Sequence, residues 1–141
     1  MNESLLSLEL IDAYRETHFH VQMENNFILK IDHQSTELLT WHAKFQVNSS
    51  AFITAHNPFG KRLTAEENAI KNRQLKTLIE AKYDHVVDGF GQDPLGEWPG
   101  EDSFLIYGIS LEEARSVGNL YEQNAIVWSD KDAIPQLVLL R

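Results

Sequence analysis

The stretch "SAFITAHNPFGKRLTAEENAIKNRQLKTLIEAKYDHVVDGF", residues 50–90, decides the fold. Its first six residues are apolar and β-friendly, as in a buried strand. A turn follows. Asn57-Pro58 starts it, and Gly60 tolerates a positive φ. Thr64 and Glu67 then form a T-x-x-E capping box, which predicts a helix over 65–82. Leu75, Leu78 and Ile79 mark its buried seam, and tracing that seam back by threes and fours reaches Asn72 and Asn68. "HVVDGF", residues 85–90, returns as a second strand.

Toward the C-terminus, residues 88–102 hold four Gly, two Pro and five acids, the composition of a long loop. "SFLIYGI", 103–109, reads as a central strand. Ser110 and Glu113 repeat the capping box and open a helix over 111–122, with Ala114, Val117, Gly118 and Tyr121 on its inner face. "AIVW" and "PQLVLL" close the chain as strands. From Ala51 onward the order is β-α-β-β-α-β plus one strand. That is the split βαβ order of a ferredoxin-like core, an α+β two-layer sandwich with helices over one face of an antiparallel sheet. A mixed sheet with helices on both faces is the alternative. Toward the N-terminus, Leu6, Leu10, Ala13 and Tyr14 predict a helix over about 4–16. "HFHVQMENNFILKID" reads as two strands around a Glu24-Asn25-Asn26 turn, and "QSTELLTWHAKF" as a helix capped by Ser35. The expectation is one domain, 1–141, with residues 1–49 decorating a core over 50–141.

The bulk numbers agree with one domain: 141 residues, 43% hydrophobic and 23% charged. There is no cysteine, so disulfide and thiolate chemistry are excluded. No window approaches the roughly 18–20 apolar residues of a membrane span, and the first residues lack a basic n-region, so a cytoplasmic protein is expected. Net charge is −9 and unevenly spread: −4 over 1–60 (3 bases, 7 acids), +3 over 61–82 (6 bases, 3 acids) and −8 over 83–141 (3 bases, 11 acids). That balance disfavours direct nucleic-acid binding, which needs a basic footprint. It suits a solvated surface, or an acidic face that docks a basic, possibly nucleic-acid-binding, protein.

Candidate site residues gather around the opening turn. Lys61 and Arg62 flank a helix start whose N–H groups and dipole suit an anion; the plainer reading is a stiff turn whose Asn and Thr satisfy local backbone. Asn68 and Asn72 either tie that turn to the helix or line a cleft at the strand end. His56 sits at the strand-to-loop junction, where general-base work is conceivable. His18 and His20 share a strand face, but no pair among the six histidines has zinc-motif spacing. The acids of 88–102 do not fit a Ca²⁺ loop; that loop reads as solvated, or as a cover over a ligand cleft with Trp98 as the contact. Ser103 lacks a nucleophile-elbow context. Gln123-Asn124 reads as a helix C-cap or reaches the same edge.

Several of these residues, in order, resemble a known pattern: Thr54-Ala55-x-Asn57-Pro58, Leu63, Glu67-Asn68, Asn72, Leu75, Gly91, Asp93, Glu101-x-Ser103 and Gln123-Asn124-Ala125. The chain is similar over most of its length, best from about 50 to 128, to a small bacterial family known only as "domain of unknown function 3293". It departs at His56, where an aromatic is more usual, and in the spacing of Pro99-Gly100-Glu101. The resemblance implies a soluble intracellular bacterial protein and no particular reaction. The expected function is binding of a small polar or anionic ligand in a cleft between the 54–62 turn, the start of helix 65–82 and the 88–103 loop. Its residues would be Thr54, His56, Asn57, Arg62, Glu67, Asn68, Asn72, Glu101, Ser103 and Gln123, with Glu67 or Glu101 as acid or base if a reaction is catalysed. No metal and no cofactor is expected.

Overall fold

The structure, a computed structural model, describes residues 4–97 and 99–141. Four helices and seven strands follow in the order α1 (Leu8–Glu16), β1 (His18–Val21), β2 (Phe27–Leu29), α2 (Thr36–Phe45), β3 (Ser50–Ile53), a 3₁₀ turn (Pro58–Gly60), α3 (Ala65–Glu80), β4 (Val86–Gln92), β5 (Glu101–Tyr107), α4 (Leu111–Leu120), β6 (Ala125–Ser129) and β7 (Pro135–Leu139). All seven strands form one sheet in the order β2-β1-β4-β5-β3-β6-β7. Every pairing is antiparallel, and the sheet curls into a half-barrel.

This corrects the expected two-layer ferredoxin-like sandwich. The N-terminal hairpin is not decoration: β1 pairs with β4 through His18↔Gln92 to Val21↔Gly89 and extends the sheet. In the alternative, the mixed sheet is corrected, since no pair among the described residues is parallel, while helices do cover both faces. The period-two alternation of the central strands explains the outcome. Ala51, Ile53, Phe104, Ile106 and Ile126 face one way and pack with Leu75 and Ile79 of α3 and Ala114 of α4. Phe52, Leu105, Tyr107 and Val127 face the other way, where Phe19, Val21, Phe27, Leu29 and Leu38 of α2 cover them. A sheet apolar on both faces must be covered on both. The N-terminal segment therefore supplies half of the core.

Element bounds differ from the sequence reading for local reasons. Ser7 caps α1 by accepting from Leu10 N–H, so the helix starts at Leu8 and not near residue 4. Leu78 is 43% exposed; the buried stripe of α3 runs Asn68, Asn72, Leu75, Ile79. The expected loop over 88–102 shrinks to 93–100, because β4 continues through Gly89 and Gly91 and β5 begins at Glu101. Gly89 is needed inside the strand. A Cβ there would lie 2.5 Å from the His20 carbonyl oxygen and 2.8 Å from Cε2 of Phe52. Trp98, the expected contact of this loop, lies outside the described residues.

The second capping box forms only in half. Ser110 Oγ accepts from Glu113 N–H, but the Glu113 carboxylate is taken by the Lys82 ammonium at 2.8 Å and by the Tyr83 hydroxyl. Among the described residues, no helix is long and apolar enough to cross a membrane.

Candidate functional site

The 54–63 segment leaves β3 and returns to α3 through three left-handed residues: Asn57 (φ 46), Phe59 (φ 53) and Gly60 (φ 73). Asn tolerates that region and Gly favours it, but a bulky aromatic there is strained. Amide side chains hold the loop in place. Asn72 Oδ1 accepts from Ala55 N–H at 2.8 Å, and its Nδ2 donates to the Asp102 carbonyl at 2.9 Å. Asn68 Oδ1 accepts from Asn57 N–H at 2.8 Å. Asn57 Oδ1 accepts from Leu63 N–H at 2.9 Å and from Asn68 Nδ2 at 3.0 Å. Asn68 and Asn72 are 4% and 7% exposed, so they continue the buried stripe of α3 as hydrogen-bonding groups. Their polar atoms are spent on the loop, and they act as scaffold.

Thr54 and Gln123 complete that scaffold. Thr54 Oγ1 donates to the Asp102 carbonyl at 2.6 Å and accepts from His56 N–H at 3.0 Å. Gln123 Nε2 donates to the carbonyls of His56 (3.2 Å) and Tyr121 (3.1 Å). Ser103, buried, donates to the Glu101 carbonyl at 2.8 Å. Two candidates stand apart. Glu67 reciprocates the Thr64 cap, and those hydrogen bonds hold its pKa below the usual value. Its carboxylate thus occupies the helix start that an anion was expected to use. Arg62 is exposed and makes no hydrogen bond or ion pair with the described residues.

Glu101 keeps its carboxylate free of the scaffold, and His56 gives up only one ring nitrogen to it. Asn68 Nδ2 lies 3.3 Å from His56 Nε2. Because Asn68 Oδ1 is committed to Asn57 N–H, the amide donates here, which assigns Nε2 as acceptor and the ring proton to Nδ1. Burial lowers the His56 pKa, opposed by the charge of Asp102, so the ring is neutral near pH 7. Glu101 Oε2 lies 3.9 Å from the same Nε2, too far for a hydrogen bond. Desolvation raises the Glu101 pKa, although its side chain is still 43% exposed.

Tyr14 of α1 joins this pair. Burial raises its pKa first, a hydrogen bond from Asn124 opposes the rise, and the Glu101 charge adds to it. Asn124 Nδ2 donates to Tyr14 Oη at 3.4 Å and its Oδ1 accepts from Arg141 at 3.1 Å. Arg141 also lies 4.2 Å over the ring of Phe59, whose N–H donates to the Glu122 carbonyl at 2.6 Å.

Tyr14, Phe59 and Arg141 escaped the sequence reading. Tyr14 fits the apolar face of a helix, and nothing in residues 137–141 distinguishes a terminal arginine. Asn124 was read as a C-cap, but the left-handed residue after α4 is Glu122 (φ 55).

His18 and His20 do share a face, with ring centroids 6.4 Å apart, yet His20 stacks on Phe90 at 4.4 Å. No group of three or more His, Asp or Glu able to hold a metal occurs among the described residues.

The family whose description reads "Protein of unknown function (DUF3293)" matches residues 53–126. No curated protein and no solved structure matches the chain. The matched span opens at the last residue of β3, takes in His56, the amide scaffold and Glu101, and ends within β6.

Proposed function

From the premise that this chain belongs to the DUF3293 family, a family of unknown function, we propose that it binds a small polar ligand at the rim formed by Tyr14, His56 and Glu101. One observation carries the reading. An imidazole and a carboxylate from two distant segments come within 3.9 Å of each other over a scaffold whose own polar atoms are paired, with the Tyr14 phenol in electrostatic reach of the carboxylate. The Glu101 carboxylate accepts hydrogen bonds, and His56, whose Nε2 lone pair already takes the Asn68 amide, offers its Nδ1–H, so the complementary ligand carries donors together with an acceptor: a polyhydroxylated compound or a hydroxylated amine. An anion suits the rim less well, because Glu101 and Asp102 already supply negative charge and Glu67 closes the start of α3. The strained, half-exposed Phe59 beside the rim fits the same reading, since backbone strain concentrates where a loop must hold a set shape.

A thermal-shift screen of small amines, amino acids, polyols and nucleosides tests the reading. At least one amine or polyol should raise the melting temperature in proportion to the logarithm of its concentration above Kd. The same compound should lose its effect on Glu101→Gln. A hit that stabilises Glu101→Gln equally would place the ligand elsewhere, and a screen without any hit would refute the reading.

A further inference from the structure

The other end of the sheet carries a second, chemically opposite feature. A cavity of about 250 Å³ is lined by Arg15, Glu16, His18, Lys30 and His33, among others. A second cavity, of about 390 Å³, shares Lys30 and His33 and reaches Ser35 and Thr36 at the start of α2. The chain as a whole has net charge −9; here two cations and two histidines stand beside Glu16 and Glu37.

The backbone explains how they meet. Antiparallel pairing of β1 with β2 sets Phe19 opposite Leu29 and His20 opposite Ile28. One further step in the same register sets His18 opposite Lys30. Asp32, in the left-handed region at φ 67, turns the chain so that His33 bridges Lys30 in antiparallel fashion. Residues directly opposite in antiparallel strands point to the same face. His18, Lys30 and His33 thus form a row across the sheet, and Arg15 from the last turn of α1 stands at its end. Arg15 meets Asp32 at 3.4 Å, with both side chains more than half exposed, so that pairing is weak and exchangeable.

A bound anion would find several donors here. Its donors would be a planar guanidinium, an ammonium and two imidazoles, more than a two-oxygen carboxylate can use. We propose that Arg15, His18, Lys30 and His33 form a binding site for a small phosphorylated compound, separate from the Tyr14–His56–Glu101 rim. The adjoining cavities, about 250 and 390 Å³, have room for the rest of such a molecule, since small-molecule pockets occupy about 300–1,000 Å³. The Ser35 and Thr36 hydroxyls line the second cavity and would meet that remainder. Glu16 and Glu37 also line these cavities and would discriminate against ligands with further negative charge.

The test uses the intact chain and NMR of its histidine side chains at constant ionic strength, with inorganic phosphate and pyrophosphate as probes and chloride as control. The site predicts saturable shifts of the His18 and His33 resonances as phosphate is added. His56 and the buried His42 should not respond. Arg15→Gln and Lys30→Gln, at exposed positions, should each weaken pyrophosphate binding by at least about tenfold, the loss expected for one charge-assisted hydrogen bond, with no change in melting temperature. Shifts that never saturate, that chloride reproduces, or that survive both substitutions would overturn the proposal. Because Glu101→Gln leaves this cavity intact, failure at one site is distinguishable from failure at the other.

Discussion

At the residue scale, the account divides the polar side chains around the 54–63 loop into two groups with opposite mutational signatures. Asn72 belongs to the scaffold. Removing its amide orphans the buried Ala55 N–H and takes one of two donors from the Asp102 carbonyl, which keeps Thr54 Oγ1. Asn72→Ala should therefore cost about 2–4 kcal/mol in chemical denaturation. Asn72→Asp keeps the acceptor for Ala55 N–H but sets a buried carboxylate oxygen against the Asp102 carbonyl oxygen, so at neutral pH it should cost at least as much as Asn72→Ala. A clearly milder loss for Asn72→Asp would mean that the donor to Asp102 contributes little.

Glu101 has the reverse signature. Its pKa is raised in the fold, so its stabilising contribution is complete below the ordinary value of 4.5 and is lost as pH rises through the raised value. Glu101→Gln should leave stability unchanged or slightly improved at pH 7. The seam of α3 makes Asn68 and Asn72 legible from sequence, because amides in an apolar stripe must find partners. Which amide atoms remain free is not legible. That depends on loop conformation, and two of its three left-handed residues, Asn57 and Phe59, carry side chains.

At the element scale, the individual helices and strands are readable, and the sheet they build is less so. The Thr64–Glu67 box, the Ser35 cap and the alternating faces of β3, β5 and β6 all follow from local chemistry. Membership of β1 and β2 in the main sheet does not, because a hairpin signal says nothing about which edge it extends. Gly89 holds the missing information. It lies where the strand reading of 85–90 and the loop reading of 88–102 overlap, and it is a strand residue pressed against the His20 carbonyl and the Phe52 ring. Gly89→Ala should force β1 away from β4 and cost about 1–3 kcal/mol. Hydrogen exchange would localise the damage, with loss of protection at β1 and β4 and little change in β6 and β7. Uniform loss across all strands would contradict the close approach described here.

At the scale of the whole molecule, acid sensitivity reports how the core was built. His42 is 3% exposed; its Nε2 lies 2.8 Å from Ser50 Oγ, and its Nδ1 has no hydrogen-bond partner among the described residues. Burial lowers its pKa from the ordinary 6.5, and His56 and His20 shift in the same direction. The unfolded chain therefore takes up protons first. Stability from these groups is fully present above pH 6.5 and is lost as pH falls from 6.5 toward the depressed values. The limit is about 1.4 kcal/mol per pH unit for each histidine. Melting temperature should fall between pH 6.5 and 5, and His42→Gln should flatten that fall. An unchanged slope would show that His42 is not held neutral by the core.

The central claim is that the loop scaffold and the ligand-binding groups are different residues. Calorimetric titration of Glu101→Gln with the amine or polyol that most stabilises the wild-type chain tests it most directly. The account predicts a folded protein of undiminished melting temperature with affinity weakened by about tenfold or more. Unchanged affinity, or a variant that unfolds as Asn72→Ala is expected to, would contradict it.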